Sequence, residues 1–150
     1  MESLTQKNNI NNTQSSQALR IIDANLNRLR EGIRVVEDIL RYGFNQKDFA
    51  LSLKNLRHQC KLTDTIVNHL DLLNTRDSQK DVLKISTKQE QKRENLEDIF
   101  LANFKRAEES ARVLEEILKL ANTQESEHFK RIRYTLYTLE KEILITIFSH

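Results

Sequence analysis

Apolar residues fall at Ile22, Leu26, Leu29, Ile33, Val36 and Leu40, in alternating steps of four and three. That spacing draws one stripe along an α-helix. The stripe returns as Phe100, Phe104, Ala107, Ala111, Leu114 and Leu118. The likeness goes beyond the stripe. At an offset of 78, nine of the eighteen positions of 24–41 are identical in 102–119, among them Asn25/Asn103, Arg28/Arg106, Glu31/Glu109, Arg34/Arg112 and Glu37/Glu115. The match resumes after a two-residue deletion, where Leu53, Lys54, Leu56 and Arg57 align with Phe129, Lys130, Ile132 and Arg133. A chain that repeats at this spacing is built from two similar units.

A second row flanks each stripe: Ile21, Asn25, Arg28, Gly32, Val35, Ile39, and Ile99, Asn103, Arg106, Ser110, Val113, Ile117. Asn25 and Arg28 thus lie on a half-apolar flank beside a small residue, which lets another helix or a ligand come close. Glu31, Arg34 and Asp38 fall on the side away from the stripe. The pattern predicts a disordered polar tail over 1–15 and a first helix from about Ser16 to Tyr42, ended by Gly43. A second helix starts at Asn45 or Asp48 and reaches about Leu73. Residues 74–94 lose the periodicity, which in a compact helical domain marks a functional or disordered loop. Asn95 with Asp98 resembles an N-terminal cap for a third helix, running to about Ala121. A fourth follows Thr123 or Ser126. The expected fold is all-α: one helical domain over 16–150, a four-helix bundle made of two pseudo-symmetric hairpins, about 19–73 and 96–148.

Composition sharpens this picture. A length of 150 residues suits one domain with a real core, and no proline with only two glycines argues for helices throughout. A net charge of +2 calls for neither nucleic acid nor an anionic membrane as partner. The single Cys60 excludes an intramolecular disulfide, and with polar opening residues in place of a signal peptide the chain reads as cytoplasmic. The apolar run 143–148 is too short to span a bilayer.

There is no P-loop, GxGxxG, CxxC or HExxH. His58, His69, His128 and His150 have no ligand spacing, and Cys60 falls on an apolar stripe as a small core residue. What remains is a duplicated helical set of Asn, Arg and carboxylates. Paired carboxylates on facing helices can hold Mg²⁺ beside substrate phosphates, and arginines grip phosphate bidentately. Phosphoryl transfer needs positioning and charge neutralisation more than covalent catalysis, so such a set can serve without a P-loop. The plainer reading makes Arg28–Glu31, Glu31–Arg34 and Arg34–Glu37 ordinary i,i+3 pairs on a solvated face, and it fits Arg34 and Glu37 better. Tyr42, Tyr134 and Tyr137 read as core edges rather than base-stacking groups.

Four ordered motifs carry a family resemblance: 21–42, the run Leu53-Lys54-x-Leu56-Arg57-His58, Arg76-Asp77-x-x-x-Asp81-Val82, and 101–116. Together they resemble the helical domain fused in front of thiamine-phosphate synthase in some bacteria. That domain is similar to a monofunctional hydroxymethylpyrimidine phosphate kinase family. The resemblance spans Leu19 to Lys141 and implies ATP-dependent phosphorylation of hydroxymethylpyrimidine phosphate to the diphosphate, in thiamine biosynthesis, with ATP and Mg²⁺ as cofactors. Ser78-Gln79-Lys80 and Leu83 depart from the small residues, proline or glycine usual at those places. The (β/α)₈ barrel of the synthase itself has no counterpart in these residues.

From the repeat and the matched motifs, Asn25, Arg28, Asn103 and Arg106 are the candidate catalytic set. Arg57, Arg133, Arg76, Asp77 and Asp81 are the candidate substrate and phosphate ligands. Glu31, Glu109, Asp38 and Glu116 are the candidate Mg²⁺ ligands. These groups cannot all converge, because Arg28 and Asp38 point to different sides of one helix. The alternative function is a non-catalytic helical module partnering a separately encoded thiamine-phosphate synthase, and a homodimer is an assembly the sequence allows.

Overall fold

The computed structural model describes residues 4–62, 76–77, 79–84 and 92–149, with side chains from Ser15 onward. The described residues hold four α-helices: α1 (Leu4–Asp38), α2 (Lys47–Gln59), α3 (Leu96–Leu118) and α4 (Thr123–Ile147). Among the described residues there is no strand, and no helix is long and apolar enough to cross a membrane.

The stripes become the core. Leu29, Ile33, Val36 and Leu40 of the first copy are fully buried, as are Phe104, Ala107, Ala111 and Leu114 of the second. Leu53 and Leu56 on α2 and Cys60 just after it are buried like their repeat partners Phe129, Ile132 and Leu136 on α4. Polar contacts repeat as well. The Asn25 amide donates to the Ile21 carbonyl at 2.9 Å and the Asn103 amide to the Ile99 carbonyl at 2.8 Å. The two hairpins therefore use one design twice.

Two contacts fix how the hairpins meet. Gly32 lies where a Cβ would be 3.0 Å from the Asn103 carbonyl oxygen and 3.4 Å from the Ala107 Cβ. The small residue on the flank thus admits a helix, α3, to close range. At the end of α1, Gly43 faces Leu96, the first residue of α3. Phe44, Phe148 and Phe100 form an aromatic chain there, with ring centroids 5.3 and 5.0 Å apart, an arrangement that adds to simple burial. So α1 and α3 run antiparallel. At the other end the His128 ring pairs with the Gln59 carbonyl at 2.8 Å, joining the start of α4 to the end of α2. α2 therefore ends at the opposite end of the bundle from where α3 begins.

Several boundaries differ from the sequence expectation. α1 starts at Leu4, so residues 4–15, expected as a tail, are helical; the segment holds neither glycine nor proline to break it. Its far end widens into a π-turn, Ile39–Gly43, closed by Phe44 N–H donating to the Ile39 carbonyl at 3.2 Å. Gly43 does terminate the helix, but the left-handed residue is Asn45, at φ 52°. Asparagine tolerates that region where most side chains do not. α2 stops at Gln59, well before the expected Leu73. Arg30 Nε donates to the Cys60 carbonyl at 2.7 Å, so the end carbonyls are taken by side chains of α1 and α4. The rest of that expected helix, 63–73, lies outside the described residues. Asn95 caps α3 as expected, accepting from Asp98 N–H at 2.9 Å.

Between α3 and α4, Lys105 Nζ donates to both Glu108 and Glu140, each at 3.1 Å. The second oxygen of each carboxylate is buried with no hydrogen-bond partner. Burial pushes the Glu108 carboxyl up; the Lys105 bond opposes this, and Glu140 and Glu109 add to it. A carboxyl raised in the folded state gives stability that is complete below the ordinary carboxylate range and is lost as pH rises through its raised value. Glu108→Gln keeps an acceptor for Lys105 and offers a donor toward Glu140. It is expected to raise stability at neutral pH by about 1 kcal/mol. Urea titrations at neutral and acidic pH check this: the gain should vanish in acid.

Candidate functional site

The candidate site is an open groove of about 870 Å³ along α1, walled on one side by the connection between α2 and α3. Asp23 builds it. This carboxylate is buried, and Arg76 meets it with a two-pronged bond, Nε to Oδ2 at 2.8 Å and Nη2 to Oδ1 at 2.7 Å. The fork matches the carboxylate plane, which gives geometric specificity as well as energy. The pair brings Arg76-Asp77-x-x-x-Asp81 against the α1 face that carries Asn25, Arg28 and Glu31. The Asp23 hydrogen bonds hold the Arg76 guanidinium above its ordinary range, and the charge on Glu31 adds to them.

Within the groove, Asn25 is buried, its amide nitrogen spent on Ile21 and its oxygen left to act as an acceptor. Arg28 is exposed and, among the described residues, joins no ion pair. Asp77 Oδ1 accepts from Lys80 N–H at 3.1 Å, and Asp81 Oδ1 from Leu83 N–H at 3.0 Å. These short turns shape the segment. Their other oxygens face water or, at 3.8 Å, the Lys80 ammonium.

The second copy does not rebuild the groove. Asn103 repeats the bond of Asn25, but Arg106 and Glu109 are on α3 outside the groove lining. The position matching Asp23 is Leu101, so the second copy has no anchor for Arg76. The expected four-residue set of Asn25, Arg28, Asn103 and Arg106 is thus only half assembled.

Arg57 and Arg133 stand elsewhere and are already engaged. Arg57 Nε and Nη2 donate to Glu37 at 2.8 and 3.2 Å, and Arg133 Nε donates to Glu115 at 2.9 Å. These equivalent pairs tie the helices of each hairpin together; they are braces, not open phosphate grips. Glu37 was expected on a solvated face, but it is 1% exposed. Nor does the fold gather the expected Mg²⁺ ligands. Asp38 pairs with Arg34 at 3.5 Å, and Glu116 with Arg112 and Lys119 at 3.1 and 2.6 Å, all on the surface. Of that set only Glu31 lines the groove. Among the described residues no three His, Cys, Asp or Glu side chains come together to hold a metal.

The three tyrosines are more exposed than core edges would be. Tyr42 is 67% and Tyr134 54% exposed, and Arg133 lies over the Tyr134 ring at 4.9 Å. Burial pushes the Cys60 thiol up to about 12, so it remains a protonated core residue. The residue that sequence reasoning missed is Asp23. Its signal was present: an acid in the first copy where the second has leucine, on a helix face otherwise bound for the core.

The ThiD2 family model matches residues 20–142. Among similar curated proteins is a thiamine-phosphate synthase of Nostoc punctiforme, 38% identical over 126 residues, which are 83% of this chain and 35% of that protein. One of Prochlorococcus marinus subsp. pastoris is 39% identical over 127 residues, covering 83% and 35%. One of Rhodopirellula baltica is 33% identical over 133 residues, covering 88% and 36%. The chain spans about a third of the length of these relatives. No solved structure matches it.

Proposed function

Since the chain belongs to the ThiD2 family, we propose that it acts in thiamine biosynthesis as a kinase. In this reading it transfers the γ-phosphoryl group of ATP to hydroxymethylpyrimidine phosphate, giving the diphosphate and ADP. The observation that carries this reading is the Asp23–Arg76 fork, which brings Arg76, Asp77 and Asp81 beside Arg28 and Glu31 in one groove.

The chemistry fits those side chains. An oxygen of the acceptor phosphate bonds to the γ-phosphorus while the bond to the β–γ bridging oxygen breaks, and ADP leaves with that electron pair. The acceptor oxygen is already ionised near neutral pH, so no general base is needed. What must be supplied is position and positive charge. Arg28 supplies the charge, Arg76 being paired with Asp23 to hold its segment in place, and Asn25 offers an acceptor to the pyrimidine. One or two of Asp77, Asp81 and Glu31 would hold a Mg²⁺ that arrives on the nucleotide, since this ion is commonly held by one or two carboxylates together with phosphates and waters. When bound, the ion would neutralise charge on the transferring phosphates.

The test is ADP release from ATP and Mg²⁺ with the pyrimidine monophosphate, against a control lacking the acceptor. Acceptor-dependent release supports the reading, and none at any substrate level sinks it. Arg28→Lys keeps the charge but loses the fork. It is expected to lower kcat/KM at least about tenfold, roughly 1.4 kcal/mol, with little change in Tm. Normal kinetics in that variant would remove Arg28 from the site.

One observation favours a second reading. The relatives that match it carry the name thiamine-phosphate synthase, which suits a non-catalytic helical module partnering such a synthase. Sedimentation of the chain with such a synthase, in the absence of kinase activity, would favour it.

A further inference from the structure

A second groove, of about 340 Å³, lies between the end of α1 and α2, away from the Asp23–Arg76 site. Arg41, Lys47 and Lys54 line it, and all three are exposed. Among the described residues none of the three joins an ion pair; Arg41 lies over the Tyr42 ring at 4.9 Å. The one carboxylate in the lining, Glu37, is already neutralised by the two-pronged bond from Arg57. The groove therefore keeps a local charge of three unpaired cations in a chain whose net charge is only +2. Ala50 and the half-exposed Leu51 add an apolar wall.

The repeat supplies a control within the same molecule. Arg41 corresponds to Lys119, which is bound to Glu116 at 2.6 Å. Lys47 and Leu51 correspond to Thr123 and Glu127, so the second hairpin has lost one cation and gained an acid at the matching place. Of the three cations, the matching place in the second hairpin keeps Lys130 for Lys54, a bound Lys119 for Arg41 and no counterpart of Lys47. Like charges held together cost free energy that a bound anion relieves.

We infer that this groove is a second ligand site, for a small anion of the diphosphate class. Arg41 offers a planar fork for two oxygens of one phosphate group, and Lys47 and Lys54 offer point charges for the other. The volume suits a diphosphate with a small organic group against Leu51, and is small for a polymer.

The experiment is a titration of the ¹⁵N-labelled full chain with inorganic diphosphate, followed by amide shifts. Saturable shifts centred on 41–54 are expected, with at least about fivefold weaker binding of inorganic monophosphate. In Arg41→Gln/Lys54→Gln, binding at 41–54 should weaken at least about tenfold with the melting curve unchanged; in Arg28→Lys it should persist. Shifts confined to residues 17–31 and 76–81 would overturn the inference, because the anion would then occupy only the first groove. So would shifts at 41–54 that never saturate, or that a single-stranded oligonucleotide produces at lower concentration than diphosphate does.

Discussion

Arg57→Ala is expected to lower the stability of the fold by about 3–5 kcal/mol, the cost of removing one partner from a buried ion pair. Glu37 is 1% exposed, and both its oxygens accept from Arg57. Without the arginine a carboxylate stays desolvated with nothing to replace water. A loss of that size is a large share of the roughly 5–15 kcal/mol that holds an ordinary domain together. Arg133→Ala should cost less. Glu115 keeps a second cation, Arg112, at 3.2 Å, so its charge is not stranded. The pair itself need not stabilise: Glu37→Met/Arg57→Met should recover most of the loss, because both charges leave together. Urea unfolding of the three variants checks the order. If Arg57→Ala unfolds like the parent chain but has lost activity, Arg57 is a phosphate ligand and its bond to Glu37 is incidental.

That brace shows what could and could not be read from the chain. The stripes through Leu29, Ile33 and Val36 and through Phe104, Ala107 and Ala111 were legible, because burial imposes the 3.6-residue period directly. So was the close approach at Gly32. The Glu37–Arg57 bond was not, although both residues recur as Glu115 and Arg133. Local spacing offers each charge a neighbour three or four positions away, and Arg34 was such a neighbour for Glu37. In the fold Arg34 turns to Asp38, and Glu37 turns inward to another helix. Nothing local separates those outcomes; they depend on which face α2 covers. The end of α2 was hidden for a similar reason. The side chains that take its carbonyls, Arg30 and His128, come from α1 and α4.

The groove was half legible. Asn25, Arg28, Glu31, Arg76, Asp77 and Asp81 were named from the repeat and the motifs, and the fold brings these six to one surface. Symmetry misled where it was trusted furthest. Asn103, Arg106 and Glu109 look equivalent in sequence, but a site needs both walls. The connection between α2 and α3 exists once, and it docks at a position where the copies differ in kind, Asp23 against Leu101.

Asp23→Leu turns that difference into the sharpest test of the groove. The substitution installs the residue that the second copy carries at the matching place, in a helix that already buries leucines around it. A buried carboxylate leaves and a larger apolar side chain arrives, with the open groove beside it to take the added volume, so stability should change little. Arg76, 40% exposed, is released into water at little cost to the fold. Activity should fall. With the anchor gone, Arg76, Asp77 and Asp81 are no longer held against Arg28, and a misplacement of about 1 Å can cost on the order of 100-fold in rate. The expected result is a fall in kcat/KM of about 100-fold, near 2.7 kcal/mol, in a protein whose Tm is little changed. Hydrogen exchange at residues 79–84 should rise in the same variant, which ties the loss to the segment rather than to α1. Arg76→Lys should fall between the two, since a point charge can still reach Asp23 without the fork. A fully active Asp23→Leu protein would detach Arg76, Asp77 and Asp81 from the chemistry and leave Arg28 alone on its helix face.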